Sequence, residues 1–403
     1  MSIMSRMPRP QAMNSHELQK LIMSTFGGGA TASGVTVSNE SAMRLSTVYS
    51  CVSILSRSIA QLPCHVMRQE GRIKNKATDF PLYRLLHDQP NEWMTAPEFW
   101  GMAMNHLALR GNFYALKTRI SGRAVRELIP LSPGVVQEVK QSEDFSLTYA
   151  CRFPDGSARD IPGTEVMHLR GMVINGFMGV NPIQYVRETL GLGLAVQEFG
   201  GRFFGAGTHP GIIVTHPGHL KEPSKLRESL GDTYAGLGQS HRIMLLEEGM
   251  KAEKIVIDPK DSQFLETRKF NKSEIVDIFF GMPLTLFHSG EATPTFASSE
   301  QFSLSYIVYA LTPWLANIEK AIWRDLLSPE DQQKYFAKFS VGALLRGSMQ
   351  ERAEFYQTLV NTEIMNPNEC RDLEDLNPYP GGDDYRTRTS TVKQPQTDQG
   401  ATK

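Results

Sequence analysis

The stretch 298–327 constrains this chain most. Across it Leu304, Val308, Leu311, Leu315, Ile318, Ile322 and Leu326 recur at steps of three and four, which places them on one face of an α-helix and requires that face to be buried. A second row, Phe302, Tyr306, Tyr309 and Trp314, lies off that face, so the helix is expected to pack on two sides as a central spine. Ser298 with Gln301 offers a capping box at its start, and Ser328-Pro329 closes it. Pro313 falls inside, where it removes one backbone donor and crowds the carbonyl four residues back, so a kink is expected there. Upstream, Asp261 to Phe280 mixes an apolar set (Phe264, Leu265, Ile275, Val276, Phe279) with a charged set (Arg268, Lys269, Lys272, Glu274, Asp277) and reads as a helix ended by Gly281-Met282-Pro283. Between the two helices, Leu284 to Phe296 is rich in turn formers and carries one formal charge, Glu291.

At 403 residues the chain is long enough for two or more lobes and a sizeable core. Its formal net charge of -1 argues against a strongly basic clamp on nucleic acid, although phosphate binding needs only a local stripe of Lys and Arg. Cys51, Cys64, Cys151 and Cys370 are far apart and form no Cys-x-x-Cys, so reduced thiols and no zinc site are expected. No segment reads as a signal peptide or as a membrane span, so a soluble chain without a membrane partner is expected.

The familiar chemical motifs fail. Gly191-Leu-Gly193 lacks the third glycine of a dinucleotide turn, which would fall at Val196, and no phosphate loop or Gly-x-Ser-x-Gly turn is present. His216 and His219 flank Pro217-Gly218 and, with His209 and His241, read as loop histidines rather than metal ligands. No acid, base or nucleophile constellation stands out, so neither an enzyme nor a bound cofactor is expected.

Taken in order, residues 1–40 are Ser, Gly, Met and Asn rich and read as a flexible arm. Val48, Val52, Leu55, Ile59 and Leu62 mark a helix ended by Pro63, with Cys51 as core packing. His65 to Met67 reads as a strand, Pro81 to His87 as a helix, and Thr95 with Glu98 as a capping box opening a helix through Phe99, Met102, His106 and Leu109, stopped by Gly111. Phe113 to Ile120, Val125 to Pro130, Val135 to Val139 and Leu147 to Phe153 read as strands, so the fold class is α+β. A long helix starts at Gly179-Val-Asn-Pro182; its glycines, each costing about 1 kcal/mol against Ala, point to close helix packing or a bend. Residues 208–260 read as a compact insert with strands at Ile212 to Thr215, Ile243 to Leu246 and Lys254 to Ile257. Tyr335 to Val341 reads as a strand, Ser348 to Asn361 and Asn366 to Leu376 as helices, and 381–403 as a flexible tail.

These segments together resemble the portal proteins of tailed bacteriophages, of the Hong Kong-phage type. The matching words are Thr47 to Pro63, Leu85 to Asn91, Arg110 to Tyr114, Leu128 to Pro133, Glu165 to Leu169, Gly179 to Pro182, Phe203-Phe204, Phe264 to Arg268, Glu274-Ile275 and Phe280 to Pro283. The resemblance implies a homo-oligomeric ring, expected to hold 12 subunits, at one capsid vertex, through which double-stranded DNA is packaged and ejected. It implies a virion location after assembly in the host cytoplasm, with the terminase large subunit, a head-tail adaptor and the major capsid and scaffold proteins as partners. Carried over, 41–180 is the wing, completed by a strand in 328–347; 181–207 and 261–283 are stem helices; 208–260 is the clip; 284–297 is a tunnel loop; 298–327 is the spine; and 348–380 is a small helical crown. His288, Ser289, Gly290, Glu291, Ala292, Thr293, Pro294 and Thr295 are the expected channel-lining residues. Arg268, Lys269 and Lys272 are read either as partners for acidic residues of a neighbouring subunit or as a solvated stem face. A neck adaptor and a capsid-associated hydrolase are the alternative functions; the hydrolase requires a nucleophile motif that is absent here.

Overall fold

The computed structural model describes residues 29–120, 124–174, 176–205, 212–215, 224, 251–254, 261–280, 304–341, 349–374 and 376–385. They fall into two units, one ending at Ser340 and one beginning at Val341.

The first unit begins earlier than the composition suggests. β1 (Gly29–Ala30) and β2 (Thr36–Val37) form a short antiparallel hairpin. α1 (Asn39–Ala42) follows behind a Ser38/Ser41 capping box. The last dozen residues of the expected flexible arm are therefore structured. The reason is tertiary: Ala32 N–H donates to Glu188 at 2.9 Å, and buried Thr31 packs where Gly191 leaves room.

α2 (Ser46–Ala60) buries Val48, Cys51, Val52, Leu55 and Ile59, as its periodicity requires. β3 (Cys64–Glu70) and β4 (Ile73–Lys76) form a hairpin turning at Gly71, and α3 (Pro81–His87) packs on β3. α4 (Ala96–Arg110) opens on the Thr95/Glu98 capping box and ends at Gly111, whose φ of 71° is the left-handed stop. The face of α4 differs from the expected one. Phe99, Trp100, Ala103, Met104 and Leu107 are buried, while Met102, His106 and Leu109 are half-buried. α4 packs against both α2 and β5, so two sides are covered. Ser56 Oγ donates to Gly101 O at 2.7 Å where α2 and α4 meet, and Trp100 packs edge-on against Phe99 and Phe339 while donating to Leu86 O at 3.0 Å.

β5 (Asn112–Ile120), β6 (Ala124–Pro130) and β10 (Val166–Arg170) form an antiparallel sheet in the order β10-β5-β6. β7 (Val136–Gln141), β8 (Leu147–Arg152) and β9 (Ala158–Pro162) form a second, over a core of Leu131, Val139, Tyr149, Cys151 and Ile161. α5 (Pro182–Tyr185) and α6 (Arg187–Gly205) replace the single long helix expected from Pro182, because Val186 leaves helical geometry at ψ 19°. β11 (Ile212–Thr215) pairs antiparallel with β12 (Lys251–Lys254), in register Ile212 with Lys254. The expected strand Ile243 to Leu246 lies outside the described residues. α7 (Asp261–Phe280) packs against α2 and α6. After a π-helical turn (Tyr306–Leu311), α8 (Thr312–Leu326) lies against β10 and against β13 (Tyr335–Phe339). β13 pairs antiparallel with β3, Phe339 opposite Cys64, which brings the chain after the spine back to the first sheet.

The second unit holds α9 (Met349–Asn361) and α10 (Pro367–Leu373), the latter capped by Asn366 and Glu369. Its order continues past Pro380, beyond the expected start of the tail. Asn368 is the reason: its backbone N–H donates to Gly382 O at 3.0 Å, and its side chain bonds Tyr379 and Asp383.

Candidate functional site

α6 and α7 meet at a glycine and an asparagine. Asn271 is 5% exposed on α7, and its Nδ2 donates to Thr189 O on the α6 side at 2.9 Å. A β-carbon on Gly193 would lie 2.5 Å from Asn271 Oδ1, so the glycine lets the two helices approach. Ile275, Val276 and Phe280 of α7 are buried, while Arg268 and Lys269 are exposed. Lys272 is half-buried and lines a cleft of about 130 Å³ with Ser46, Ser50, Cys51 and Ile54 of α2. Burial of Cys51 pushes its thiol up to about 12, so it is an inert core group.

At the spine, Leu311, Leu315, Ile318, Ile322 and Leu326 form the expected buried face. Leu304 and Val308 do not: they are 42% and 54% exposed. The cause is the π-turn. One more residue per turn in the i→i+5 pattern rotates everything upstream by about one residue, roughly 100°. Ile307 takes the inward place, and Tyr306 turns toward α2, its hydroxyl 3.0 Å from Ser58 Oγ and its ring edge-on to Phe280. Pro313 lies in the first turn of α8, where its missing N–H is tolerated. Thr312 offers Ile307 O both its backbone N–H and, at 2.8 Å, its hydroxyl.

The C-terminal half of the spine is tied to the sheet by a buried polar junction. Asn112 Nδ2 donates to Gly179 O at 2.6 Å, which makes Asn112 Oδ1 the acceptor for Gly179 N–H at 2.8 Å and for His168 Nε2 at 2.9 Å. His168 therefore carries its proton on Nε2 and accepts from Tyr149 OH on Nδ1 at 3.0 Å. Burial, together with the Arg170 and Arg324 charges, holds this ring well below the usual histidine range, hence neutral. The His168 backbone bonds α8 twice: N–H to Asp325 Oδ2 at 3.0 Å, and O from Arg324 Nη2 at 2.8 Å. Lys117 Nζ donates to Asp325 O at 2.8 Å, and burial brings its ammonium down to about 8.

Among the described residues no group of three or more His, Cys, Asp or Glu is placed to hold a metal ion, and no helix is long and apolar enough to cross a membrane. Residues 46–375 match the family described as phage portal protein. The portal protein of Enterobacteria phage HK97 is 31% identical over 374 residues, covering 91% of this chain and 87% of that one. The chain belongs to the phage portal protein family.

Its relatives include the probable portal protein of Streptomyces phage phiC31, 29% identical over 88% of this chain and 79% of that protein. Two solved structures share the portal fold. One is the neck of an empty gene transfer agent particle, with a TM-score of 0.57 and 19% identity over 89% of this chain and 99% of that one. The other is an HK97-family portal protein from Corynebacterium diphtheriae, with a TM-score of 0.55 and 14% identity over 77% and 98%. The function of the chain is that of a capsid portal protein, a structural role.

In this portal chain the structure brings Arg268, Lys269 and Lys272 onto one helix and places Pro313 one residue beyond Thr312, which caps the π-turn. His288, Ser289, Gly290, Glu291, Ala292, Thr293, Pro294 and Thr295 lie outside the described residues, as do the capping pair Ser298 and Gln301 and the insert histidines. The polar junction escaped sequence reasoning. Its one signal was His168 inside the apolar run Val166 to Leu169, a polar side chain that a buried strand tolerates only when its hydrogen bonds are met.

Proposed function

We propose that the chain assembles into a closed ring of twelve copies at one vertex of a phage or phage-like capsid, and that double-stranded DNA enters and leaves through its axis. The observation that carries this reading is the identity to the HK97 portal protein, spread over 91% of the chain. The necks of gene transfer agent particles, described with C6 and with C12 symmetry, supply the ring geometry by analogy of fold.

In this arrangement 284–297 faces the channel. A channel that passes DNA must avoid strong phosphate contacts, since each neutralised phosphate adds affinity and drag. The loop suits that need, with Glu291 and no Lys or Arg. The insert 208–260 faces the terminase large subunit during packaging and a head-tail adaptor afterwards, and the wing meets the major capsid and scaffold proteins. ATP hydrolysis belongs to the separate motor. The ring forms in the host cytoplasm and ends in the virion.

Negative-stain imaging with native mass tests assembly: rings with an axial hole are expected, and a hydrolytically active monomer overturns the reading. Deleting Ser289 to Thr295 is expected to preserve rings while impairing packaging or DNA retention. Unchanged packaging and retention remove the loop from the channel.

A further inference from the structure

We infer that the π-turn Tyr306–Leu311 is a register switch that gives the spine two packings, independently of what the ring carries. Apolar period and burial disagree upstream of Leu311. In an uninterrupted α-helix Leu304 and Val308 continue the buried row of Leu311, Leu315, Ile318, Ile322 and Leu326. In the π register both point to solvent, while Tyr306 and Ile307 are turned inward. The segment thus carries apolar side chains for two registers one residue apart, and only one set is covered at a time.

Each register has its own support. The π register keeps the Tyr306–Ser58 hydroxyl contact, the Tyr306–Phe280 edge contact and the two hydrogen bonds that Thr312 donates to Ile307 O. Its wide turn also suits Pro313, which has no N–H to give and would crowd the Tyr309 carbonyl in a tight α-turn. The α register gives those up and buries Leu304 and Val308. Passing between them rotates Leu304 and Ser305 by roughly 100°, with α8 held in place by Asp325 and Arg324 on His168.

The test is thiol labelling of the full chain carrying Leu304→Cys; the native Cys51, Cys64, Cys151 and Cys370 are buried and serve as controls for folding. In the parent chain Cys at 304 is expected to label rapidly. Adding Ser58→Ala and Thr312→Val weakens the π register, and labelling at 304 is expected to slow about tenfold as the α register gains population. Deleting exposed Tyr309 removes the extra residue, so an ordinary α-helix then leaves position 304 at its present azimuth. In that background the same two substitutions are expected to leave labelling fast. Unchanged or faster labelling at 304 in the weakened chain with Tyr309 present overturns the switch, as does equal slowing with Tyr309 deleted. If the double variant labels its native cysteines, Thr312→Val alone carries the same comparison.

Discussion

Gly111 and Gly179 cross so closely that neither has room for a side chain: a β-carbon on Gly179 would collide with Gly111 O, and one on Gly111 with Val180 O. Gly111 ends α4 in the left-handed region, and its carbonyl accepts from Gly171 N–H at 2.8 Å. Asn112, next in the chain, bonds both polar backbone groups of Gly179. The end of α4, the exit of β10 and the approach to α5 are thus fixed at one point.

Gly111→Ala and Gly179→Ala are each expected to cost about 3 kcal/mol or more, because backbone must move and, at 111, a positive φ must be held. Gly134 also has a positive φ but nothing within 4 Å, so Gly134→Ala is expected to cost only about 1 kcal/mol. Denaturant unfolding midpoints of the three variants check the ordering.

Acid is expected to weaken the first unit through half-buried His106 and buried His168. Burial, reinforced by Arg110, brings His106 from 6.5 down to about 4, and His168 is held low in the same way. The unfolded chain takes up these protons first, so stability is fully present above 6.5 and falls as pH drops toward the folded values. For His106 the loss at pH 5 is about 2 kcal/mol. Unfolding midpoints between pH 7.5 and 5 are expected to decline less steeply in His106→Gln.

Asp325 holds Arg324 at 2.6 Å and accepts from His168 N–H. Its side chain is 14% exposed, so the His168 N–H has little water to turn to, whereas the Arg324 side chain is 44% exposed and can be rehydrated. Asp325→Ala is expected to cost about 1–3 kcal/mol, and Asp325→Asn, which keeps an acceptor for His168, about half of that. Thermal unfolding of the two variants separates the acceptor from the charge.

Reversing the exposed cations of α7, Arg268→Glu with Lys269→Glu, is expected to lower the ring population several-fold at low salt if they meet a neighbour's acidic residues. The effect should fade at high salt, where exposed pairs are screened. Native mass at two ionic strengths reads this out. An unchanged ring population assigns the two residues to a solvated face.

Local sequence alone determined the helices and most strands. Period and caps are written in neighbouring residues, so Val48 to Ile59, the Thr95/Glu98 box and the stop at Gly111 could be read directly. The portal family was legible too, in short words whose order spans the chain. Tertiary structure alone decided what depends on partners distant in sequence. The order of 29–40 comes from Glu188 and Gly191, the tautomer of His168 from Asn112 and Tyr149, its neutral state from burial beside Arg170 and Arg324, and the pairing of β13 with β3 from strands far apart in the chain. The spine shows the division most sharply. Its apolar row was visible as a period, but the position of one extra residue within that period depends on Tyr306 meeting Ser58 and Phe280, and no local pattern encodes that contact.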